Sequence, residues 1–351
     1  HPVEGYPLSA VVTLEPKQAG TGDPSPDNVR PISGYDEVSV NVRGKNLLSD
    51  ENFQSSEKNG ITFTKMGNGM VHIEGTTTMA FADSVVVYDV PQLPPGKYYG
   101  ISDILNIVVK KASTGSNTYY SCADGVTIEA GDVIQYYYFS VGANKTVNKT
   151  YYIFLALGES AFSASDFEPY QPGTTAQLSL PETIYGGTVD AVTGVGSNEA
   201  IMFELAIADM NNDENYPGWR AVTNLTDVVG VGYNATLNKG HFIACNITKS
   251  ALTADSKGYF AVNTLGTNSV LYLTKDAFGL TQTQWKEQYP DLVFQLCLKR
   301  ISPEPFQATG NQALPAVAGL NTVYTDGDSL AVSGRQDLLY TLQTMQAQTT
   351  N

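Results

Sequence analysis

The chain has 351 residues, more than one average domain, so about two or three core-forming units are expected. A hydrophobic content of 42% with only 16% charged residues excludes a disordered chain and gives a polar, weakly charged surface. The formal net charge of −15 argues against wrapping nucleic acid or lying on an anionic bilayer, because both need clustered Lys and Arg.

The 21 tyrosines, 32 glycines and 17 prolines point to many short strands joined by tight turns, with helix a minority. No stretch approaches the ~20 consecutive apolar residues that cross a bilayer, and no charged-then-apolar leader opens the chain. A soluble protein without membrane insertion is therefore expected. The chain begins at His1 rather than Met, as a processed or trimmed chain or part of a longer one does. Cys122, Cys245 and Cys297 are odd in number and far apart, which supports neither a zinc site nor a disulfide framework, so buried free thiols are expected.

In chain order, Leu8 to Leu14 reads as a first strand and Val38 to Val42, alternating Val-Ser-Val-Asn-Val, as a second. The two are expected to form the base of the first unit. Between them runs Gly20 to Gly34. Pro24, Pro26 and Pro31 fix φ and remove donors, Gly20, Gly22 and Gly34 are permissive, and Asp23, Asp27 and Asn28 can bond their own backbone. With Arg30 they make a rigid, irregular structural joint. A phosphate cradle would need a helix N-terminus there, which the prolines forbid. Gly44-Lys45-Asn46-Leu47-Leu48 then launches the chain into a new body.

Ile61 to Glu74 has the pattern of a hairpin turning at Met66-Gly67-Asn68-Gly69, with His72 on the polar phase. Further strands are expected at Val85 to Tyr88, Leu93 to Tyr99 around a proline turn, Tyr119-Tyr120, Val126 to Ile128, Val133 to Phe139 and Tyr151 to Leu157. Short strands at this spacing without a helical period suggest a two-sheet sandwich of jelly-roll type, an architecture shared with carbohydrate-binding modules. It should close near Phe167-Glu168-Pro169-Tyr170. A connector over Ala176 to Asp190 returns to the base.

A second β unit is expected from Ile201 to Leu205, His241 to Asn246, Tyr259 to Val262, Val270 to Leu273 and Leu292 to Leu298. Asn211 to Gly218 reads as an exposed loop ahead of Trp219, and Thr281 to Tyr289 as a helix stopped by Pro290. Pro303-Glu304-Pro305-Phe306 starts an extended linker, and Thr322-Val323-Tyr324 a last strand. Arg335 to Gln348, with Leu338, Leu342 and Met345 at helical spacing, is a helix that packs on its own domain or joins copies of the chain. The fold expected is thus all-β, with tandem jelly-roll-like β-sandwich units and a short C-terminal helix. Its divisions are a base at 1–48, a first sandwich at 49–172, a connector at 173–197, a second sandwich at 198–300 and a C-terminal part at 301–351.

The run from Tyr6 to Gly34, then Gly44 to Leu48, Phe167 to Tyr170, Leu180 to Asp190, Thr193 to Val195 and Gly319 to Asp326, resembles in the same order a family of tail-associated minor structural proteins. These are encoded by phages and prophages of Firmicutes and other gut bacteria. The resemblance implies a β-rich virion protein of the tail tip, baseplate or fibre, often with a receptor-binding role, and brings no catalytic residues. Its partners would be other virion proteins and a host-surface glycan, and symmetry about a tail axis favours a homotrimer.

For chemistry the chain offers only His1, His72 and His241, with no HExxH, GxSxG, P-loop or EF-hand spacing, so no enzyme, cofactor or metal is expected. Two carboxylates suffice for a glycosidase, and Asp124, Glu129 and Asp132 sit around one turn, although solvated turn carboxylates are the simpler reading. A sugar-binding face needs aromatic rings for stacking and polar groups for hydroxyls. Tyr119, Tyr120, Tyr136, Tyr137, Tyr138, Tyr151 and Tyr152 cluster in the first sandwich and Trp219 stands in the second, but alternation on strands must send about half of the tyrosines inward. Host attachment through a surface glycan is the function expected. The alternatives are a purely structural virion part, such as a head fibre, capsid decoration or connector, and a polysaccharide depolymerase.

Overall fold

The computed structural model describes residues 2–24, 27–77, 80–88, 90–206, 211–213, 218–223, 243–245, 260–265, 268–274, 282–291, 293–317, 319–333 and 340–344. The protein is all-β and sandwich-like, built almost wholly of antiparallel sheets. It divides into two compact units, one made of residues 1–10, 39–176 and 313–351, the other of residues 11–38 and 177–312.

In the first unit, one four-stranded sheet runs Asn117–Ser121, Leu105–Lys110, Val133–Val141, Ala82–Asp83. Another runs Thr146–Tyr152, Met70–Thr76, Ile61–Gly67, Ser56–Lys58. Alternate residues of both sheets, Ile61, Phe63, Val71 and Ile73 from one and Leu105, Ile107, Val109, Tyr137 and Phe139 from the other, meet in a single buried core. Phe53 closes on Phe139 edge-to-face at 5.8 Å. The buried Tyr137 and Tyr98 hydroxyls each find a carbonyl at 2.6 Å, of Ser49 and Pro94 respectively, so neither leaves an unmet donor. The hairpin at Met66 to Gly69 forms as expected, with Gly67, Asn68 and Gly69 all at positive φ.

The base of this unit pairs residues 40–44 of the strand Tyr35–Gly44 with the strand Gly319–Thr325, and Asp326 accepts the Ser39 amide at 2.6 Å. Where the chain leaves the base, Asn46 is fully buried. Its amide donates to the Ile153 carbonyl at 2.9 Å and its oxygen accepts the Leu48 and Leu155 amides, which fixes the entry into the core that Leu47 and Leu48 join. Lys45 donates to the Asp166 carbonyl at 2.7 Å and lies 3.8 Å from Glu168, so the entry and the exit of the sandwich are tied to each other.

In the second unit, the strand Gly187–Asp190 pairs on one side with residues 11–14 and on the other with Val195–Ala206, which continues to Val293–Gln307 and Ile243–Ala244. Ile32, Ala200, Cys245 and Cys297 form a small core with Tyr185 and Met202 packed on it. All three cysteines are free and buried, and burial pushes the Cys297 thiol up to about 12. A separate sheet runs Asn211–Asp213, Gly218–Thr223, Asn268–Thr274, Phe260–Leu265.

Several expectations are corrected. The C-terminal segment is not a helix where it is described: Tyr340–Thr344 is a strand parallel to Gly319–Val323. Tyr-Thr-Leu-Gln-Thr is a good strand sequence, and a ladder partner supplied by the fold overrides the helical spacing of its leucines. Residues 335–339 and 345–348 of that expected helix lie outside the described residues. The linker at Pro303 to Phe306 is the end of the long strand Val293–Gln307, opposite residues 196–198 beside a bulge. The loop before Trp219 begins as the strand Asn211–Asp213, and 214–217 lie outside the described residues. Val85 to Tyr88 makes a single bridge, Val87 to Tyr137, instead of a strand. The strand Leu105–Lys110 was not foreseen. The expected helix near Thr281 is present as Gln282–Gln288.

Candidate functional site

The strand Leu105–Lys110 is the middle of the sheet that carries most of the candidate tyrosines, and its register sorts them. Ile107 stands opposite Tyr120 and Tyr137, on the core side; Val108 stands opposite Tyr119 and Tyr136, on the outer side. Tyr120 accordingly packs on the core and Tyr137 is fully buried. On the outer side Val108 is also fully buried, yet it is not part of the core cluster. It lies between Tyr119 and Tyr136, which flank it on the two neighbouring strands.

The outer face continues past Tyr136. The Val87 bridge to Tyr137 sets Tyr88 beside Tyr136, with ring centroids 5.5 Å apart, and Tyr138 follows at 6.1 Å from Tyr136. A strand spacing of about 4.8 Å makes the line Tyr119, Val108, Tyr136, Tyr88 roughly 14 Å across. Its two ends are the open ones: Tyr119 is 61% exposed and Tyr88 73%. A second line, Ser121, Asn106, Tyr138, runs beside it. The charges lie at opposite ends along the strands. Lys110 is exposed opposite Asn117, and Asp83 accepts a hydrogen bond from Ser140 at 2.6 Å.

The electrostatics keep this face neutral. The hydrogen bond with Tyr119, followed by burial, pushes the Tyr136 hydroxyl above its ordinary value. Burial and then the Asp83 carboxylate do the same for Tyr138. Both phenols therefore stay protonated at any physiological pH and act as hydrogen-bond donors and acceptors. An array of aromatic rings, phenol hydroxyls, amides and serines can stack on the apolar face of a sugar ring and bond its hydroxyls.

The other candidate residues stand apart from this face. Tyr151 lies on the opposite sheet, faces Val71 and packs on the core with its ring 6.4 Å from Phe139. Trp219 is in the strand Gly218–Thr223 of the second unit, opposite Asn212 and Leu273, and its side chain lies outside the described residues. Asp132 is not a solvated turn carboxylate. Only 1% exposed, it pairs with Lys111 and accepts the Ala112 and Glu129 amides at 2.9 and 2.8 Å. Glu129 reaches the same lysine at 2.8 Å, and Asp124 is exposed. Among the described residues no group of three or more His, Cys, Asp or Glu is placed to hold a metal ion.

The proline loop is a joint held by the side chains of Arg30 and Asn28. Arg30 donates to the carbonyls of Ala19, Gly20 and Gly22 at 2.8, 3.1 and 2.6 Å, and Asn28 to that of Asp23 at 2.9 Å. The strands Lys17–Gln18 and Ile32–Ser33 close the loop below, with Pro31 accepting the Ala19 amide. Asp27 and Pro31 are exposed, Pro24 is half-buried, and Pro26 lies outside the described residues. At Gly34 a Cβ would meet the Ile184 carbonyl at 2.5 Å, so only glycine admits this approach. Arg30→Ala should lower stability by about 1–2 kcal/mol, and Arg30→Lys should recover little of it because an ammonium cannot reproduce the guanidinium fork. Urea denaturation of the three proteins measures both.

Tyr88, Asn106, Val108 and Ser121 are the parts of the face that sequence reasoning missed. Tyr88 had a signal in the run Val-Val-Val-Tyr; Asn106 and Val108 sit in a strand whose apolar run hides its alternation. Comparison of this chain with protein-family models, curated proteins and solved structures finds no match.

Proposed function

We propose that this chain is a phage virion protein of the tail fibre, baseplate or tail tip, and that it attaches the particle to its host by binding a surface glycan. The observation that carries the glycan part is the outer face of Tyr119, Tyr136, Tyr138 and Tyr88 laid over Val108. Two of these rings are mostly exposed, which is unusual for side chains whose bulk normally earns burial. The virion part rests on the resemblance of the framework runs, with which an all-β fold and a net charge of −15 agree. Virion partners and a trimeric assembly belong to the same reading.

The test is binding of the purified chain to a panel of intact Firmicutes cells and to the same cells stripped of surface polysaccharide. Binding that disappears on stripping, and that falls at least about tenfold (about 1.4 kcal/mol) in Tyr119→Ala, supports the reading. A folded protein that binds no cells in the panel identifies a structural virion part instead. Release of reducing sugar from the bound polysaccharide would mark a depolymerase.

A further inference from the structure

We infer that the tyrosine face takes an internal stretch of an uncharged polysaccharide, laid across the strands, and not a chain end or an acidic polymer; this rests on the glycan-binding reading above. The first argument is shape. Sites that select a terminal sugar enclose it, burying most of its surface in a concavity. Here the residues at the two sides, Tyr119 and Tyr88, are the most open, and the middle residue Val108 is the one sealed from solvent. A sugar stacked on rings as exposed as these is covered over little of its surface, so each sugar contributes little and several successive sugars must be engaged together.

The second argument is charge. The two lines of the face, Tyr119 to Tyr88 and Ser121 to Tyr138, contain phenols, an amide, a hydroxyl and a valine but no ionised group. Asp83 and Lys110 stand beyond them at opposite ends of the strands, and the Asp83 carboxylate is engaged by Ser140. A polyanion would find one lysine here against a chain of net charge −15, whose field repels it at long range. A neutral polymer meets no such penalty. Its ring faces fit the tyrosines, and its hydroxyls fit Asn106, Ser121 and the phenols.

The probe is polysaccharide stripped from the cells that bind the protein, separated into neutral and acidic fractions and cut into size-graded oligosaccharides. Calorimetric titration should place the binding in the neutral fraction. Affinity should climb with oligosaccharide length to a plateau, and the component monosaccharides should not compete. Affinity should also hold within about twofold from about 0.01 to 1 M salt, a range over which the Debye length shrinks from ~30 to ~3 Å. Tyr88→Ala with Tyr119→Ala should abolish binding at unchanged circular dichroism and unchanged sedimentation mass.

Binding confined to the acidic fraction and lost with salt overturns the inference while leaving the attachment reading intact, as does a monosaccharide competing as well as the polymer. A change of mass in the double variant overturns it too, because a second copy of the chain would then cover the face. Stripped polysaccharide that binds in no fraction removes the inference together with the reading beneath it.

Discussion

Asp132→Ala is expected to lower stability by about 3 kcal/mol, among the largest losses any single polar substitution should produce in the first unit. The Asp132 side chain is 1% exposed and that of Lys111 12%, so removing the carboxylate leaves a largely covered ammonium with the exposed Glu129 as its remaining partner. Two backbone amides, of Ala112 and Glu129, lose their acceptor at the same time. Replacing both partners, Lys111→Met with Asp132→Leu, should cost less than Asp132→Ala alone. Urea denaturation of the wild type and the variants tests this, and an equal or larger loss in the double variant would refute the account.

The same site gives a pH dependence. Burial works against the ionised form of Asp132, but the Lys111 hydrogen bond and the two amides outweigh it and hold the carboxyl below its usual range. A group depressed in the folded state stabilises the fold at any pH above its unfolded value, about 3.9 for Asp, and that stabilisation fades as pH falls through the folded value. Between about pH 4 and 2 the wild type should therefore lose stability more steeply than Asp132→Asn, which no longer titrates there. Thermal melts across that range decide the point.

Gly187→Ala is the second substitution with a large expected effect, a loss of about 3 kcal/mol or more. Gly187 has φ +136°, a backbone conformation that L side chains rarely adopt, and a Cβ there would lie 1.8 Å from the Ser197 carbonyl oxygen. Both obstacles are backbone, so no rotamer change relieves them. Gly187 is also the point where its strand pairs with Leu14 on one side and Asn198 on the other, so the strain reaches two ladders. Gly115→Ala is the control: φ is +68° but nothing lies within 4 Å, and only about 1 kcal/mol should be lost. Similar denaturation midpoints for the two variants would show that φ alone, and not the close approach, sets the requirement.

Much of the fold could be read locally, and the failures share a cause. Alternation found the hairpin of Ile61–Gly67 and Met70–Thr76, and turn residues found its connection, because both are properties of neighbouring residues. Leu105–Lys110 escaped because Ile107, Val108 and Val109 are all buried. That pattern belongs to a strand covered on both faces, and here the outer cover comes from tyrosines distant in sequence. The strand Tyr340–Thr344 was missed for the same reason, since its partner Gly319–Val323 is fixed by the fold and not by its own residues.

For the candidate site, tyrosine content pointed to the sheet of Leu105–Lys110 and Val133–Val141, but register alone separates Tyr119, Tyr136 and Tyr138 from Tyr120 and Tyr137. The runs that carry the family resemblance are framework: Arg30 pins a loop, Asn46 plugs an entry, and Gly187 admits a crossing. They say how the chain is built, and a ligand has to be sought elsewhere.

The tie between Lys45 and the Asp166–Glu168 corner gives the sandwich one doorway, through which its polypeptide both arrives and departs. Whatever is threaded through such a doorway must match that spacing, pack on Leu47, Leu48 and Tyr324, and meet the Asn46 amide. The residues from 49 to 165 thus form an insert whose two ends are anchored at one place and whose core is completed by its frame.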